Sequence, residues 1–178
     1  MLSAKSLFVW TIGLAVSMAA SRPIAAGPAN GIDAAAAFER LKALQGAWEA
    51  AGKDGKVART TFELVADGTV LIEHYANAAM PGGGQMVTAY HLDGKELVLT
   101  HYCIAKNQPT LKAERFDNAT GEIQFEFVRA SNLPSPNAGH MRRAKYRLDD
   151  ATHFTTEWEF FENDKKTMTE VEAFTKVN

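Results

Sequence analysis

The sequence predicts an all-β protein: an antiparallel up-and-down β-barrel of about ten strands, preceded by one short helix. After Gly46, apolar and polar residues alternate in short runs, as in strands with one buried face. Turn residues such as Asp-Gly separate these runs about every ten residues, which is typical of hairpins. No connection is long enough for a crossover. A series of hairpins favours a closed barrel, because closure removes exposed sheet edges. A two-sheet sandwich is the alternative.

A single amphipathic helix is predicted before the strands. Asp33 is a plausible N-cap, and Phe38, Leu41 and Leu44 recur at helical spacing. Gly46 is expected to end this helix. One short amphipathic helix needs an apolar surface to cover, so we expect it to pack against the sheet.

Ten strands are expected, at 47–51, 57–65, 69–75, 85–92, 96–103, 110–116, 122–128, 140–148, 153–161 and 167–177. A three-residue loop at Ala66-Asp67-Gly68 would pair Phe62 with Ile72 and leave one face apolar. A two-residue loop would instead place Phe62 opposite Glu73. We favour the first register. The loops 76–85 and 129–139 are longer and rich in Gly and Pro, as loops that rim a cavity often are.

The first 26 residues predict a signal peptide. Lys5 precedes an apolar run of about 14 residues, which is shorter than the roughly 20 that a membrane span needs. Small residues follow it and suit cleavage between about residues 19 and 26. The predicted organisation is a signal peptide at 1–26, a linker at 27–33 and a barrel domain at 34–178. We therefore expect a bacterial periplasmic or secreted protein, with no stable membrane span after processing; an uncleaved anchor helix is the alternative.

Charge and cysteine content narrow the function classes. The formal net charge is -2, and an acidic balance argues against nucleic acid as a partner. Cys103 is the only cysteine, so it cannot form an internal disulfide. It is a small buried hydrophobe, a site of pairing between chains, or a reactive thiol; we favour the first.

In the predicted order of elements a helix comes first, Gly46-x-Trp48 follows, and antiparallel hairpins continue to the end. This order resembles the calycin superfamily, which includes lipocalins and fatty-acid-binding proteins. The segment 86–109 also resembles secreted bacterial lipocalin-like proteins of unassigned activity. Ten strands resemble the fatty-acid-binding-protein or nitrobindin count more than the eight of true lipocalins. The resemblance implies that Trp48 packs across the closed end of the barrel, and that the barrel is a cup for a small hydrophobic or amphipathic molecule.

His101 is the first candidate for chemistry. Alternation places it on one strand face with Leu97, Leu99 and Cys103. If that face is inward, His101 could hydrogen-bond a ligand, coordinate haem iron or bind an anion; otherwise it is a core histidine bonded to a neighbouring hydroxyl or backbone group. The other histidines are scattered over different strands and turns, so no metal site is predicted.

Arg142 and Tyr146 are expected to share an inward face. Arg142 would bind a ligand carboxylate in a bidentate contact, or pair with an internal acid such as Glu157 or Glu73. Trp158 belongs to an aromatic face that would serve as core or as cavity wall. The candidate ligand-binding residues are Tyr90, His101, Arg142, Tyr146 and Trp158.

Non-covalent binding of a small hydrophobic or amphipathic molecule is the leading functional hypothesis. A barrel that binds haem or nitric oxide through His101 is the second. A solidly packed barrel that acts as a protein-interaction module is the third. No residue set requires a cofactor, and none requires catalysis, so no catalytic residue is predicted.

Overall fold

The computed structural model describes residues 32–52, 55 and 57–177, so the predicted signal peptide and most of the predicted linker lie outside the described residues. Helix α1 spans Ala34–Lys42. The strands are β1 (Gly46–Ala51), β2 (Val57–Val65), β3 (Val70–Asn77), β4 (Met86–Asp93), β5 (Glu96–Tyr102), β6 (Gln108–Asp117), β7 (Glu122–Ser131), β8 (His140–Leu148), β9 (His153–Glu162) and β10 (Lys165–Val177). A short 3-10 helix, Pro81–Gly83, lies between β3 and β4.

The strands form one closed antiparallel barrel. Each strand pairs with its neighbours in sequence, and β1 pairs with β10 to complete the circle. The predicted fold class, an all-β up-and-down barrel with one short helix, is confirmed. No helix among the described residues is long and apolar enough to cross a membrane.

Helix α1 covers one end of the barrel, which we call the closed end. The Asp33 carboxylate accepts a hydrogen bond from the Ala36 N–H at 2.9 Å, as the predicted N-cap should. The buried face, which includes Phe38 and Leu41, packs against β4, β5 and β6. The helix ends at Lys42, before the predicted Gly46; a tight turn follows, and Gly46 starts β1 with a φ of 115° that favours glycine.

Trp48 packs across the closed end and is 1% exposed. Its Nε1–H donates to the Leu44 carbonyl at 2.6 Å, which ties β1 to the turn after the helix. Its ring meets Phe154 edge to face at 4.8 Å, and Phe154 stacks on Phe174 at 4.8 Å. These contacts fill the closed half of the barrel with side chains.

The hairpin between β2 and β3 differs from the favoured register. Residues 66–69 form a longer turn in which Ala66 and Asp67 have φ of 51° and 54°. Val65 therefore pairs with Val70, and Phe62 pairs with Glu73. The prediction that Phe62 faces Ile72 is wrong, because the choice of an apolar face excluded an acid that this barrel buries.

The pairing of β1 with β10 is short. Among the described residues it runs only from Ala47↔Val177 to Glu49↔Thr175, whereas β9 and β10 pair from Lys165 to Thr175. The two strands thus separate toward the end opposite the helix, which we call the open end. We call the gap between β1, β2 and β10 the seam cleft. The two longer loops that precede β4 and β8 lie at the open end as well.

Candidate functional site

A buried carboxyl group lies at the centre of the barrel. The Thr60 hydroxyl donates to Glu73 Oε1 at 3.0 Å, while the hydroxyls of Tyr90 and Tyr146 lie 2.5 and 3.1 Å from Oε2. Loss of solvent raises the pKa of Glu73 above its usual value, and hydrogen bonds from Tyr90 and Thr60 oppose this effect only in part.

The protons in this cluster favour the neutral acid. The Tyr90 and Tyr146 hydroxyls also lie 2.5 Å from each other, so three oxygens make three mutual contacts. With an ionised Glu73, the two tyrosines supply only two protons; a proton on the carboxyl supplies the third. Burial also raises the pKa of both phenols well above 10, so they remain protonated. The cluster is thus an uncharged hydrogen-bonded hub.

His101 lies beside this hub and is 4% exposed. Its Nδ1 is 2.9 Å from the Thr88 hydroxyl, and its ring lies 4.7 Å from the Trp158 ring. Its Nε2 is buried and has no hydrogen-bond partner among the described residues. Burial lowers the pKa of His101 to about 4, so the ring is neutral near pH 7.

The cavity beside His101 has a volume of about 20 Å³, which is room for about one water molecule. Pockets that enclose drug-sized ligands measure roughly 300–1,000 Å³. The wide cup implied by the calycin resemblance is therefore not open in this conformation, and a haem does not fit in this cavity. The lining consists of Glu73, Tyr75, Met86, Thr88, His101, Met141, Thr156, Trp158, Glu170, Glu172 and Phe174.

Two glutamates of β10, Glu170 and Glu172, line this cavity. Glu172 accepts hydrogen bonds from the Tyr75 hydroxyl at 2.9 Å and from the Asn77 side-chain amide at 3.2 Å. Burial, followed by the nearby charge of Glu170, raises the pKa of Glu172 to about 7. Burial raises the pKa of Glu170 as well. The two carboxyl groups thus oppose each other's ionisation.

The seam cleft adjoins the cavity and is far larger, at about 470 Å³. Its walls are mainly small side chains, with Glu170 and Glu172 at its inner side. It is lined by Ala50, Ala51, Gly52, Ala58, Asn77, Ala79, Glu170, Val171, Glu172 and Ala173. Glu170 and Glu172 line both spaces, so the cleft and the cavity adjoin at these two side chains.

The sequence-predicted residues fall into three places. His101 and Trp158 line the cavity. Tyr90 and Tyr146 are fully buried in the Glu73 hub and are not among the cavity-lining residues. Arg142 lies apart from both groups.

Arg142 does not take the expected inward position. A β-bulge between Met141 and Arg143 shifts the alternation, so Met141 faces the cavity instead. The Arg142 guanidinium pairs with Asp164 at 2.8 Å, in the turn between β9 and β10. Neither proposed internal partner is used: Glu157 pairs with Lys145 at 2.9 Å, and Glu73 bonds to tyrosines.

The acids of the site received no ligand-binding role from the sequence. The sequence indicates Glu73 only as a possible partner for Arg142, and it does not single out Glu170 or Glu172. One signal was available: in β10, Glu170, Glu172 and Phe174 alternate on one face, and Phe174 is buried. A period-two pattern that ends on a buried aromatic residue indicates that the acids share the inner face.

Cys103 opens the turn between β5 and β6 and is half-buried. Its backbone N–H donates to the Asn107 carbonyl at 3.2 Å, and the Asn107 amide donates to the Gly139 carbonyl at 2.8 Å. Burial raises the pKa of the thiol, which keeps it in the less reactive protonated form. Among the described residues, no group of histidine, cysteine and acidic side chains is arranged to hold a metal ion.

A groove of about 690 Å³ also lies outside the barrel, between α1 and β6. Lys112, which lines it, pairs with Glu96 at 2.9 Å and with Glu114 at 3.3 Å. The groove lies on the surface, and unlike the seam cleft it does not adjoin the buried groups of the barrel interior.

No protein-family model matches this chain, and no curated protein sequence matches it. The closed ten-stranded antiparallel barrel is consistent with a calycin-like fold.

Proposed function

We propose that this barrel binds a small amphipathic molecule non-covalently, in the seam cleft and the adjoining cavity. The observation that carries the proposal is the position of Glu170 and Glu172, which line both the surface cleft and the interior. Polar groups at the inner side of a cleft with apolar walls are the usual arrangement of a small-molecule site.

The sizes of the two spaces favour a ligand with a large apolar part and one small polar group. The cleft of about 470 Å³ accommodates an apolar body against small side chains such as Ala58 and Ala173. The cavity of about 20 Å³ accommodates one water-sized polar group. Met86 and Met141 line the cavity, and their flexible side chains can repack to widen it.

The proposal is for binding without covalent chemistry. His101 is neutral and hydrogen-bonded to a threonine, and burial keeps the Cys103 thiol protonated. A nucleophile needs an adjacent base that a third group orients, and the cavity lining does not bring such a set together among the described residues.

Native mass spectrometry of the protein purified from its own cells tests the proposal. We expect a retained small molecule, or uptake of one from a panel of amphipathic compounds. Ala173→Phe should abolish retention by filling the cleft. Thr169→Phe is the matched control, because Thr169 is also exposed on β10 but does not line the cleft. A protein that retains nothing and takes up none of the panel contradicts the proposal.

We also propose that the protein is exported, on the basis of the charged, apolar and small-residue regions of segment 1–26. Intact-mass measurement of the protein from its own cells tests this. The expected mass corresponds to a chain that begins between about residues 20 and 27. A protein that keeps Met1, or is found in the cytoplasm, contradicts export with cleavage.

A further inference from the structure

The ligand class follows from the hydrogen-bonding character of the site. The ionisable groups shared by the cavity and the cleft are the carboxyl groups of Glu170 and Glu172, and His101 Nε2 in the cavity has no partner among the described residues. The Tyr75 hydroxyl already donates to Glu172. Among the described residues that line the cavity and the seam cleft, none is a lysine or arginine. The site therefore lacks the cations that its acids would need as partners.

His101 contributes a buried ring nitrogen to the cavity lining. Its Nδ1 lies 2.9 Å from the Thr88 hydroxyl, and either tautomer of the ring can form that contact. Its Nε2 has no partner among the described residues. When the ring proton lies on Nδ1, Nε2 carries a lone pair and can accept an N–H from a ligand.

The aromatic wall favours the same chemistry. Trp158 lies 4.7 Å from the His101 ring and pairs across the sheet with Glu170. An aromatic face beside carboxylates attracts a cation both through the ring quadrupole and through charge. An ammonium group is close to the size of a water molecule and so matches the cavity of about 20 Å³.

We infer that the ligand is a small amphipathic primary amine, whose ammonium group enters the cavity between Glu170, Glu172 and His101 while its apolar body lies in the seam cleft. This inference rests on the proposed function and specifies its ligand class. Three features carry it together: carboxyl groups shared by both spaces, a buried imidazole nitrogen without a partner among the described residues, and a water-sized inner space.

Proton release should accompany binding. Glu172 faces Glu73 and Tyr75 of β3, Glu170 of its own strand, and the cavity that His101 lines. Glu73 belongs to the uncharged hub, so the loss of solvent and the nearby Glu170 are what favour the protonated form of Glu172. An ammonium group reverses that preference, and the carboxyl then gives up its proton to the solvent.

Matched compounds test the inference by isothermal titration calorimetry. The series is hexylamine, 1-hexanol and hexanoate, with 2-phenylethylamine and 2-phenylethanol as a second set. We expect each amine to bind at least about tenfold more tightly than its alcohol. In buffers of different ionisation enthalpy, the heat should reveal proton release. Glu172→Gln should weaken amine binding by about tenfold, and Glu170→Gln should weaken it in the same direction.

The control variant is Glu162→Gln, because Glu162 is exposed at the end of β9 and does not line either space. Circular dichroism of each variant verifies folding. An alcohol or acid that binds as tightly as its amine overturns the inference and leaves the proposed function intact. Amine binding that neither glutamate variant weakens overturns it as well. Failure of every compound to bind, with no molecule retained from the cells, overturns both.

Discussion

Replacing Glu172 by glutamine should remove part of the loss of stability that occurs as pH rises above about 4.5. The folded protein holds the pKa of Glu172 at about 7, compared with 4.5 for an unperturbed glutamate. Below pH 4.5 both the folded and unfolded chains bind the proton. Between pH 4.5 and 7 the unfolded chain has released it while the folded chain retains it, so the free energy of unfolding falls as pH rises.

The size of the expected stability change follows from the pKa shift of Glu172. A change of 2.5 pKa units corresponds to about 3 kcal/mol as an upper bound. Because the carboxyl keeps part of its contact with solvent, we expect about 1–2 kcal/mol. The glutamine side chain carries no charge, and its carbonyl oxygen can still accept from Tyr75. The variant should therefore equal the wild type at low pH and exceed it at high pH.

Urea unfolding followed by tryptophan fluorescence, at about pH 5 and about pH 8, measures this difference. Glu73 and Glu170 titrate in both proteins, so the difference between the two profiles reports Glu172 together with its coupling to these two acids. Glu162→Gln, on the exposed end of β9, is the control and should follow the wild type. The reasoning is refuted if the free energy of unfolding changes with pH equally in the wild type and in Glu172→Gln. That result would mean that burial does not disfavour the charged carboxyl of Glu172.

Three further predictions concern the closed end, the hub and the register. Trp48→Ala should lower the free energy of unfolding by about 3–5 kcal/mol, because Trp48 fills the closed end and bonds to Leu44; thermal unfolding measures the loss. Tyr146→Phe should cost about 1–3 kcal/mol in urea unfolding, because it removes one of the three protons shared in the hub. Leu71→Ala should cost about 2–5 kcal/mol while Ile72→Ala costs less than half as much, because only Leu71 is fully buried; equal losses would contradict the observed register.

Alternation and turn residues predicted the strands because both are local properties of the chain. The face that contains Leu97, Leu99 and His101 follows directly from period two, and all three are buried. The packing of Trp48 across the closed end agrees with the expectation from Gly46-x-Trp48. In these elements, one pattern determines which side chains enter the core.

The candidate site was predicted less completely, since it depends on features that alternation does not encode. The bulge beside Arg142 changes which residue faces inward, and no residue near it marks that change. The favoured register pairs Phe62 with Ile72 because it gives a continuous apolar face, whereas the structure pairs Phe62 with the buried Glu73. How far β1 and β10 pair is also invisible in either strand alone, and that length determines whether a seam cleft exists.

The short pairing of β1 with β10 has a consequence for folding kinetics. Every other strand pair joins neighbours in sequence, but Ala47 and Val177 are about 130 residues apart. Closing so long a loop for so few pairs is entropically expensive, so we expect it to be the last step of folding. Contacts made after the transition state act mainly on the unfolding rate. A molecule bound beside this junction should therefore prolong the lifetime of the folded barrel without accelerating its formation.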